Sequence, residues 1–188
     1  MAGLRGSEDV EVASASNRGL HRFRDQQWTS WDFVSTADEV LVRCPRCDVC
    51  AKVVHLPRRG QGSGLRRLVC SACGYVADKH LRDPRALPSV LYRPEPRGMV
   101  RDPFFRLPLW LQTDCCGHVL WAYNQRHLDY LEEYVSARLR LRSRPDPDTA
   151  WHRRMTMTAK LPRWIKAAKN RDAVLRRIAR LRSSVQPA

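Results

Sequence analysis

The chain has 188 residues, a formal net charge of +15 and 43% hydrophobic residues. This length suits one ordinary domain or two small ones and excludes a large multidomain enzyme, and no apolar run approaches the length that spans a membrane. The positive excess favours a polyanionic partner, above all nucleic acid, while a merely solvated basic surface is the competing interpretation.

The first segment predicted along the chain is a disordered tail over residues 1–27. It mixes small and charged residues without apolar periodicity, so it cannot bury enough surface to offset the entropy of ordering. From Trp28 the character changes, since Trp31, Phe33 and Val34 follow closely. We expect these residues to anchor the chain onto the next domain, predicted over residues 28–82, and a base-stacking platform is the alternative.

Two Cys-x-x-Cys pairs mark that domain, Cys44 with Cys47 and Cys70 with Cys73. Thiolates two residues apart can bind one ion from a single tight turn, and two such turns complete a tetrahedral Zn²⁺ shell with Zn–S bonds of about 2.3 Å. Val53 and Val54 favour a strand between the pairs, and a glycine-rich turn at 60–64 favours a return strand. The sequence predicts a β-hairpin with one zinc ion at its foot, and four thiolates leave no open position for catalysis.

Cys50 offers a second register, because Cys47 and Cys50 are also two residues apart. The residue after the second cysteine of such a turn usually needs positive φ. Gly74 adopts it freely and Asp48 tolerates it, whereas the alternative register places Ala51 there. We therefore predict Cys44, Cys47, Cys70 and Cys73 as ligands and Cys50 as a buried strand thiol.

Val42-Arg43-Cys44-Pro45-Arg46-Cys47 and Cys70-Ser71-Ala72-Cys73-Gly74-Tyr75 resemble the two knuckles of transcription-factor-type and ribosomal zinc ribbons, a group that includes many bacterial proteins of uncharacterised function. The resemblance covers about residues 39–80. It implies a structural zinc in a small three-stranded ribbon. Asp48 departs from the glycine that is common in the family at that position.

A disulfide framework and a catalytic or redox role are the other interpretations of these cysteines. The count of 7 is odd, and no apolar segment of signal-peptide length follows Met1. Both observations favour reduced thiols and a cytoplasmic location.

The predicted hairpin tip, residues 55–67, is a candidate phosphate contact. Glycines let the backbone approach a phosphate closely and arginines make forked bonds to its oxygens. An ordinary mobile loop is the alternative. The candidate contacts are Arg58, Arg59, Arg66 and Arg67.

Residues 83–106 are predicted to form a connector laid over the surface, because their prolines forbid long helices. A second β-hairpin is then expected, with strands over 107–112 and 118–122 and a turn at Gly117. Cys115, Cys116 and His118, with His127 as a fourth donor, suggest a second metal site. Their spacing is poor, because adjacent strand residues point to opposite faces, so a structural turn is the favoured interpretation and a reactive thiol pair a further alternative.

Asn124 is a credible N-cap for a helix with an apolar stripe through Leu128, Leu131, Val135 and Leu139. After a loop at 144–148 the chain is helical in composition, with a second helix cap at Asn170.

The last fifth of the chain carries most of the charge. From residue 150 onward there are eleven basic residues and one acidic residue, Asp172, which gives +10 of the net charge. The candidate contacts there are Arg163, Lys166, Lys169, Arg176, Arg177 and Arg180.

Together these features predict an α+β protein: a zinc ribbon, a β-hairpin and a basic helical region, the last two within residues 107–188. The expected function is non-catalytic binding of nucleic acid or a nucleoprotein through arginines, with one Zn²⁺ that stabilises the fold. A protein-interaction adaptor, for example to a polymerase or the ribosome, is the alternative. No phosphate-binding glycine loop or nucleophile with an evident base supports an enzyme, and no membrane or small-molecule partner is evident.

Overall fold

The computed structural model describes residues 22–26, 28–30, 32–34, 39–56, 64–80, 98–141 and 156–185. Within these ranges the chain forms eight β-strands and four α-helices. None of these helices is long and apolar enough to cross a membrane.

The largest sheet is an antiparallel meander of four strands in sequence order. The strands are β2 (Val40–Arg43), β3 (Cys50–His55), β4 (Leu65–Val69) and β5 (Val76–His80). Val53 pairs with Val40 on one side and Leu68 on the other, and all three are buried. The expected three-stranded ribbon is therefore extended by an edge strand, which is mostly exposed and carries no apolar alternation that would have predicted it.

The second hairpin is present, but the prediction was wrong for its first strand, which lies at 112–115, mostly inside the predicted turn segment, and not at 107–112. Strands β6 (Gln112–Cys115) and β7 (His118–Trp121) flank a two-residue turn, in which Cys116 has φ 53° and Gly117 has φ 76°. Positive φ at both central residues is typical of a type I′ turn, whose twist matches that of the strands. Residues 108–111 instead extend the edge of β2, where the Trp110 N–H donates to the Leu41 carbonyl at 2.9 Å.

Helix α1 (Gln125–Ser136) begins at Asn124 as predicted, and the Asn124 side-chain oxygen accepts the His127 backbone N–H at 2.9 Å. Leu128, Leu131 and Val135 form its buried stripe. The prediction was wrong for Leu139, which lies beyond the helix and is 43% exposed.

Leu139 belongs to β8 (Leu139–Leu141), which pairs in parallel with β1 (Arg22–Arg24). The predicted disordered tail, residues 1–27, therefore extends too far, because residues 22–24 form a strand. Phe23 is buried, with its ring edge-on to Tyr130 at 5.4 Å and to Tyr134 at 5.2 Å. One aromatic residue between two arginines gives too little periodicity to reveal this strand.

The leader aromatics anchor the chain in the part that the structure describes. Phe33 is fully buried and stacks on His127 with ring centroids 4.6 Å apart, and half-buried Trp28 meets Phe33 edge-on at 5.4 Å. A buried ring is unavailable to a nucleic-acid base. Trp31 lies outside the described residues.

The predicted surface connector is wrong for its last residues, 98–106. Asp102 is fully buried, and its carboxylate accepts the backbone N–H groups of Phe104, Phe105 and Leu107 at 2.8, 2.7 and 2.6 Å. Phe104 is also buried. The turn can be buried because the Asp102 carboxylate provides hydrogen-bond acceptors for three of its backbone N–H groups. Residues 83–97 lie outside the described part of the chain.

The C-terminal region contains α2 (Met157–Lys160), α3 (Arg163–Lys166), a 3₁₀ turn (Ala168–Asn170) and α4 (Arg171–Ser183). Asn170 precedes α4 but makes no side-chain cap, since its amide donates to the Trp164 carbonyl at 2.8 Å. Val174, Ile178 and Leu181 are the buried face of α4.

The predicted ribbon and the predicted C-terminal unit share one hydrophobic core. Leu41 of β2 donates its N–H to the Tyr123 carbonyl at 2.8 Å, and Val42 bridges to Leu109. Antiparallel sheets followed by C-terminal helices give a mixed architecture compatible with the predicted α+β class.

Candidate metal centre and basic surface

Two equivalent turns carry the four cysteines. In the first, the Asp48 N–H donates to the Cys44 carbonyl at 3.0 Å, and in the second the Gly74 N–H donates to the Cys70 carbonyl at 2.9 Å. The residues after the second cysteines have positive φ, 59° at Asp48 and 70° at Gly74. The backbone requirement that selected this register from the sequence is met in both turns.

The turns bring the four thiols together at one end of the large sheet. The Sγ atoms of Cys44 and Cys73 are 3.7 Å apart, and those of Cys47 and Cys70 are 3.6 Å apart. All four sulfurs lie within 4.8 Å of one another. A tetrahedral ion with bonds of about 2.3 Å separates its sulfur ligands by roughly 3.8 Å, so the spacing fits a four-coordinate metal ion.

The protonation behaviour of the thiols shows why a cation suits them. A hydrogen bond from the Val49 N–H lowers the pKa of Cys47, but desolvation and the three neighbouring sulfurs together outweigh it and raise that pKa to about 12. The pKa of Cys73 is also raised, whereas at Cys44 burial is outweighed by hydrogen bonds to the sulfur, which lower the pKa to about 7, so one thiol of the group ionises in preference to its neighbours. Thiols this close cannot all ionise unless a positive charge lies between them, and a divalent ion supplies that charge.

Cys50 stands apart from the cluster, as predicted. It begins β3 opposite Arg43, but it is half-buried and not fully buried as predicted, and this burial raises the pKa of its thiol to about 11. The four-cysteine group is the only set of three or more possible metal ligands that converges within the described residues.

The suggested second metal site at Cys115, Cys116 and His118 does not form among the described residues. The sulfurs of Cys115 and Cys116 lie 3.7 Å apart, but the His118 ring stacks on Trp164 with centroids 5.0 Å apart. His127 is buried, and its Nδ1 accepts the Tyr123 N–H at 3.3 Å. In the part of the chain that the structure describes, no third donor converges with the two thiols of this turn.

The ribbon-tip arginines have different environments. Arg66 is only 3% exposed, its guanidinium lies 4.3 Å from the centre of the Phe104 ring, and it donates to the Val34 carbonyl at 3.3 Å. The prediction of Arg66 as a phosphate contact is therefore wrong, because its cationic group is used inside the core. The Arg67 side chain is 41% exposed, and both bonds of its fork to Asp78 are 2.7 Å long. Arg58 and Arg59 lie outside the described residues.

The basic side chains of the C-terminal helices fall into two groups. Some are held by the fold: Arg182 contacts Asp129 at 2.5 Å and Glu132 at 2.7 Å, and Lys166 donates to the Ala159 carbonyl at 3.3 Å. Others make no ion pair or hydrogen bond with the described residues. This second group consists of Lys160 and five of the predicted contacts: Arg163, Lys169, Arg176, Arg177 and Arg180.

Sequence reasoning missed how these arginines are grouped in space. Arg176, Arg177 and Arg180 border a recess of about 170 Å³ whose opposite wall is the turn at Cys115 and Cys116. The +10 charge of this region was visible in the sequence, but the contact between α4 and β6 was not.

Comparison with known protein families, with characterised proteins and with solved structures found no match for this chain. The resemblance to zinc ribbons consequently depends on the two knuckles and their geometry.

Proposed function

We propose that this chain is a non-catalytic, zinc-stabilised protein that binds nucleic acid, free or within a nucleoprotein, through the arginine-rich surface of its C-terminal helices. The observation that carries the proposal is the group of basic side chains, five of them predicted contacts, that have no acidic partner among the described residues. Elsewhere the structure neutralises arginines, as in Arg67 with Asp78, so a group left unpaired is available to a polyanion.

We further propose that the ion is Zn²⁺ and that the knuckles belong to a zinc ribbon. Four thiolates at tetrahedral spacing form the donor set of structural zinc sites. Such a closed shell stabilises the fold and leaves no position for a reacting water, which supports a non-catalytic role. Thiols kept reduced for zinc fit the cytoplasm.

Phosphate binding predicts a definite salt dependence. Each phosphate neutralised by an arginine or lysine releases condensed counterions, so log K falls with log [salt] at a slope of about −0.9 per contact on duplex DNA and about −0.7 on single strands. Five contacts give slopes of roughly −4.5 and −3.5.

The test is binding of generic duplex DNA and single-stranded RNA by fluorescence anisotropy across salt concentrations. Replacing Arg176 and Arg180 by glutamine should weaken binding at low salt and make the slope shallower by about 2 on duplex DNA. Lys52→Gln is the control, because it also removes a positive charge but lies on the large sheet, where Lys52 pairs with Glu39 at 3.0 Å. This variant should keep the slope of the natural chain. Absence of binding at low salt, or affinity that does not change with salt, contradicts the proposal.

A protein-interaction adaptor is the second candidate, favoured by two exposed valines beside the knuckles. Val49 is 44% exposed and Val76 54% exposed, and both adjoin cysteine turns. Exposed apolar groups at a rigid end of a sheet suit contact with another protein. Isolation of the chain from its host with and without nuclease separates the two candidates, because an adaptor keeps its protein partner after nuclease treatment.

A further inference from the structure

The recess between the second hairpin and α4 has the composition of an anion site. Its volume is about 170 Å³, an order of magnitude above the roughly 15 Å³ that one water needs. The lining residues are Cys115, Cys116, Ala173, Arg176, Arg177 and Arg180.

Three of the six lining residues are arginines from one helix, and no carboxylate is among them. None of the three guanidinium groups bonds to a described residue, in contrast to Arg182, two residues beyond Arg180, which two carboxylates hold. Like charges placed this close repel one another, and an anion between them converts that repulsion into attraction.

The remaining wall favours strong electrostatic contacts. Cys115, one of the lining residues, is buried, and burial raises the pKa of its thiol to about 11, so it stays neutral and does not compensate the arginines. Ala173 adds a small apolar surface. Charge interactions beside low-dielectric walls are stronger than on an open surface.

We propose that this recess binds a dianionic phosphate group, that is, a phosphate monoester. Guanidinium forks match phosphate oxygens in shape, and three cations balance a dianion better than the single charge of a backbone diester. A monoester also enters a recess with one linkage, whereas a continuous backbone would have to pass through it. The group comes from a free phosphomonoester or from the 5′-phosphate end of a nucleic acid, and the second source rests on the proposed function.

Cys116 supplies a direct measurement of occupancy, since it is exposed at the rim. The zinc-loaded, reduced protein is treated with iodoacetamide, and alkylation of Cys116 is followed by peptide mass spectrometry. Inorganic phosphate should slow this reaction at least twofold relative to sodium chloride at the same ionic strength. Equal rates in the two salts overturn the inference.

Variants assign the effect to the recess. Arg177→Gln and, separately, Arg180→Gln should abolish the protection by phosphate, while Lys52→Gln on the large sheet should keep it. Zinc content and thermal unfolding show whether each variant is folded. If one of the two recess variants does not fold, the other one decides the outcome. Protection that survives in folded Arg177→Gln and Arg180→Gln proteins overturns the inference.

Two oligonucleotides distinguish the sources of the phosphate. If a nucleic-acid end is bound, a 5′-phosphorylated strand should bind at least threefold more tightly than the same strand with a 5′-hydroxyl, and the difference should vanish in Arg177→Gln. Equal affinities together with protection by inorganic phosphate support the free phosphomonoester. Failure of both strands to bind contradicts the proposed function, and the alkylation result decides the recess independently.

Discussion

Asp48 and Gly74 occupy the same position in the two cysteine turns, with φ of 59° and 70° and with the same hydrogen bond back to the first cysteine. A side chain at positive φ costs about 1–2 kcal/mol unless it is a short polar one such as Asp or Asn. A Cβ added at Gly74 would meet nothing within 4 Å. A substitution at Gly74 therefore measures the cost of positive φ for a residue with a Cβ, without a contribution from steric clash with neighbouring residues.

We expect Gly74→Ala to lower the free energy of unfolding by about 1 kcal/mol and to weaken zinc binding, because the strained turn no longer preorganises Cys70 and Cys73. Urea unfolding and competition with a chelator measure the two effects. Asp48→Gly is the matched control and should retain zinc at least as tightly as the natural chain. Equal stability of Gly74→Ala and the natural chain contradicts this account of the turn.

Removal of one metal ligand should have a larger effect. Cys73→Ser leaves three thiolates. We expect the variant to lose its stoichiometric zinc, and the four-stranded sheet to show no cooperative unfolding transition, because the metal no longer holds the two turns together. Cys50→Ser changes a thiol outside the cluster and should keep one zinc per chain. Elemental analysis and circular dichroism of reduced protein check both variants, and full zinc content in Cys73→Ser would contradict the assigned ligand set.

The features that the sequence predicted correctly are local ones. The cysteine spacing, the φ preference of Asp48 and Gly74 and the Asn124 cap each depend on a few neighbouring residues, and all were recovered. The parallel pairing of Phe23 with Arg140 connects positions far apart in the chain, and no periodicity encodes it. Contacts of that kind arise from tertiary packing, which short-range patterns do not carry.

Arg66 illustrates the same limit at the level of a side chain. Next to Arg67 in a glycine-rich, basic stretch, it has the sequence context of a surface cation. Alternation along β4 turns the two side chains to opposite faces, one toward Phe104 and one toward Asp78. The ring that Arg66 meets belongs to the segment at 98–106, whose role in the core its prolines had obscured.

This pair of arginines provides a matched test. Arg66→Gln removes a buried cation from an aromatic ring and from the Val34 carbonyl, and we expect a loss of about 2 kcal/mol in unfolding free energy. Arg67→Gln removes a solvent-exposed ion pair and should change stability little. Urea titrations of the two variants measure the difference, and equal effects would contradict the buried role of Arg66.

His127 gives the stability a pH dependence whose sign follows from its burial. Desolvation lowers the pKa of its imidazole from 6.5 to about 3 in the folded state. The unfolded chain therefore takes up a proton below pH about 6.5 while the folded chain does not, so stability falls as the pH drops from 6.5 toward 3, by at most about 1.4 kcal/mol per pH unit.

Replacement of His127 should reduce that acid sensitivity. In His127→Phe and His127→Asn the group no longer titrates, so both variants should lose less stability than the natural chain between pH 6.5 and 5. Their absolute stabilities will differ, since Phe keeps the stack on Phe33 and Asn keeps an acceptor for the Tyr123 N–H. Zinc thiolates are also protonated in acid, but in all three proteins alike, so the difference in slope reports His127 alone. Parallel unfolding curves against pH for the natural chain and both variants would show that His127 does not contribute to acid destabilisation.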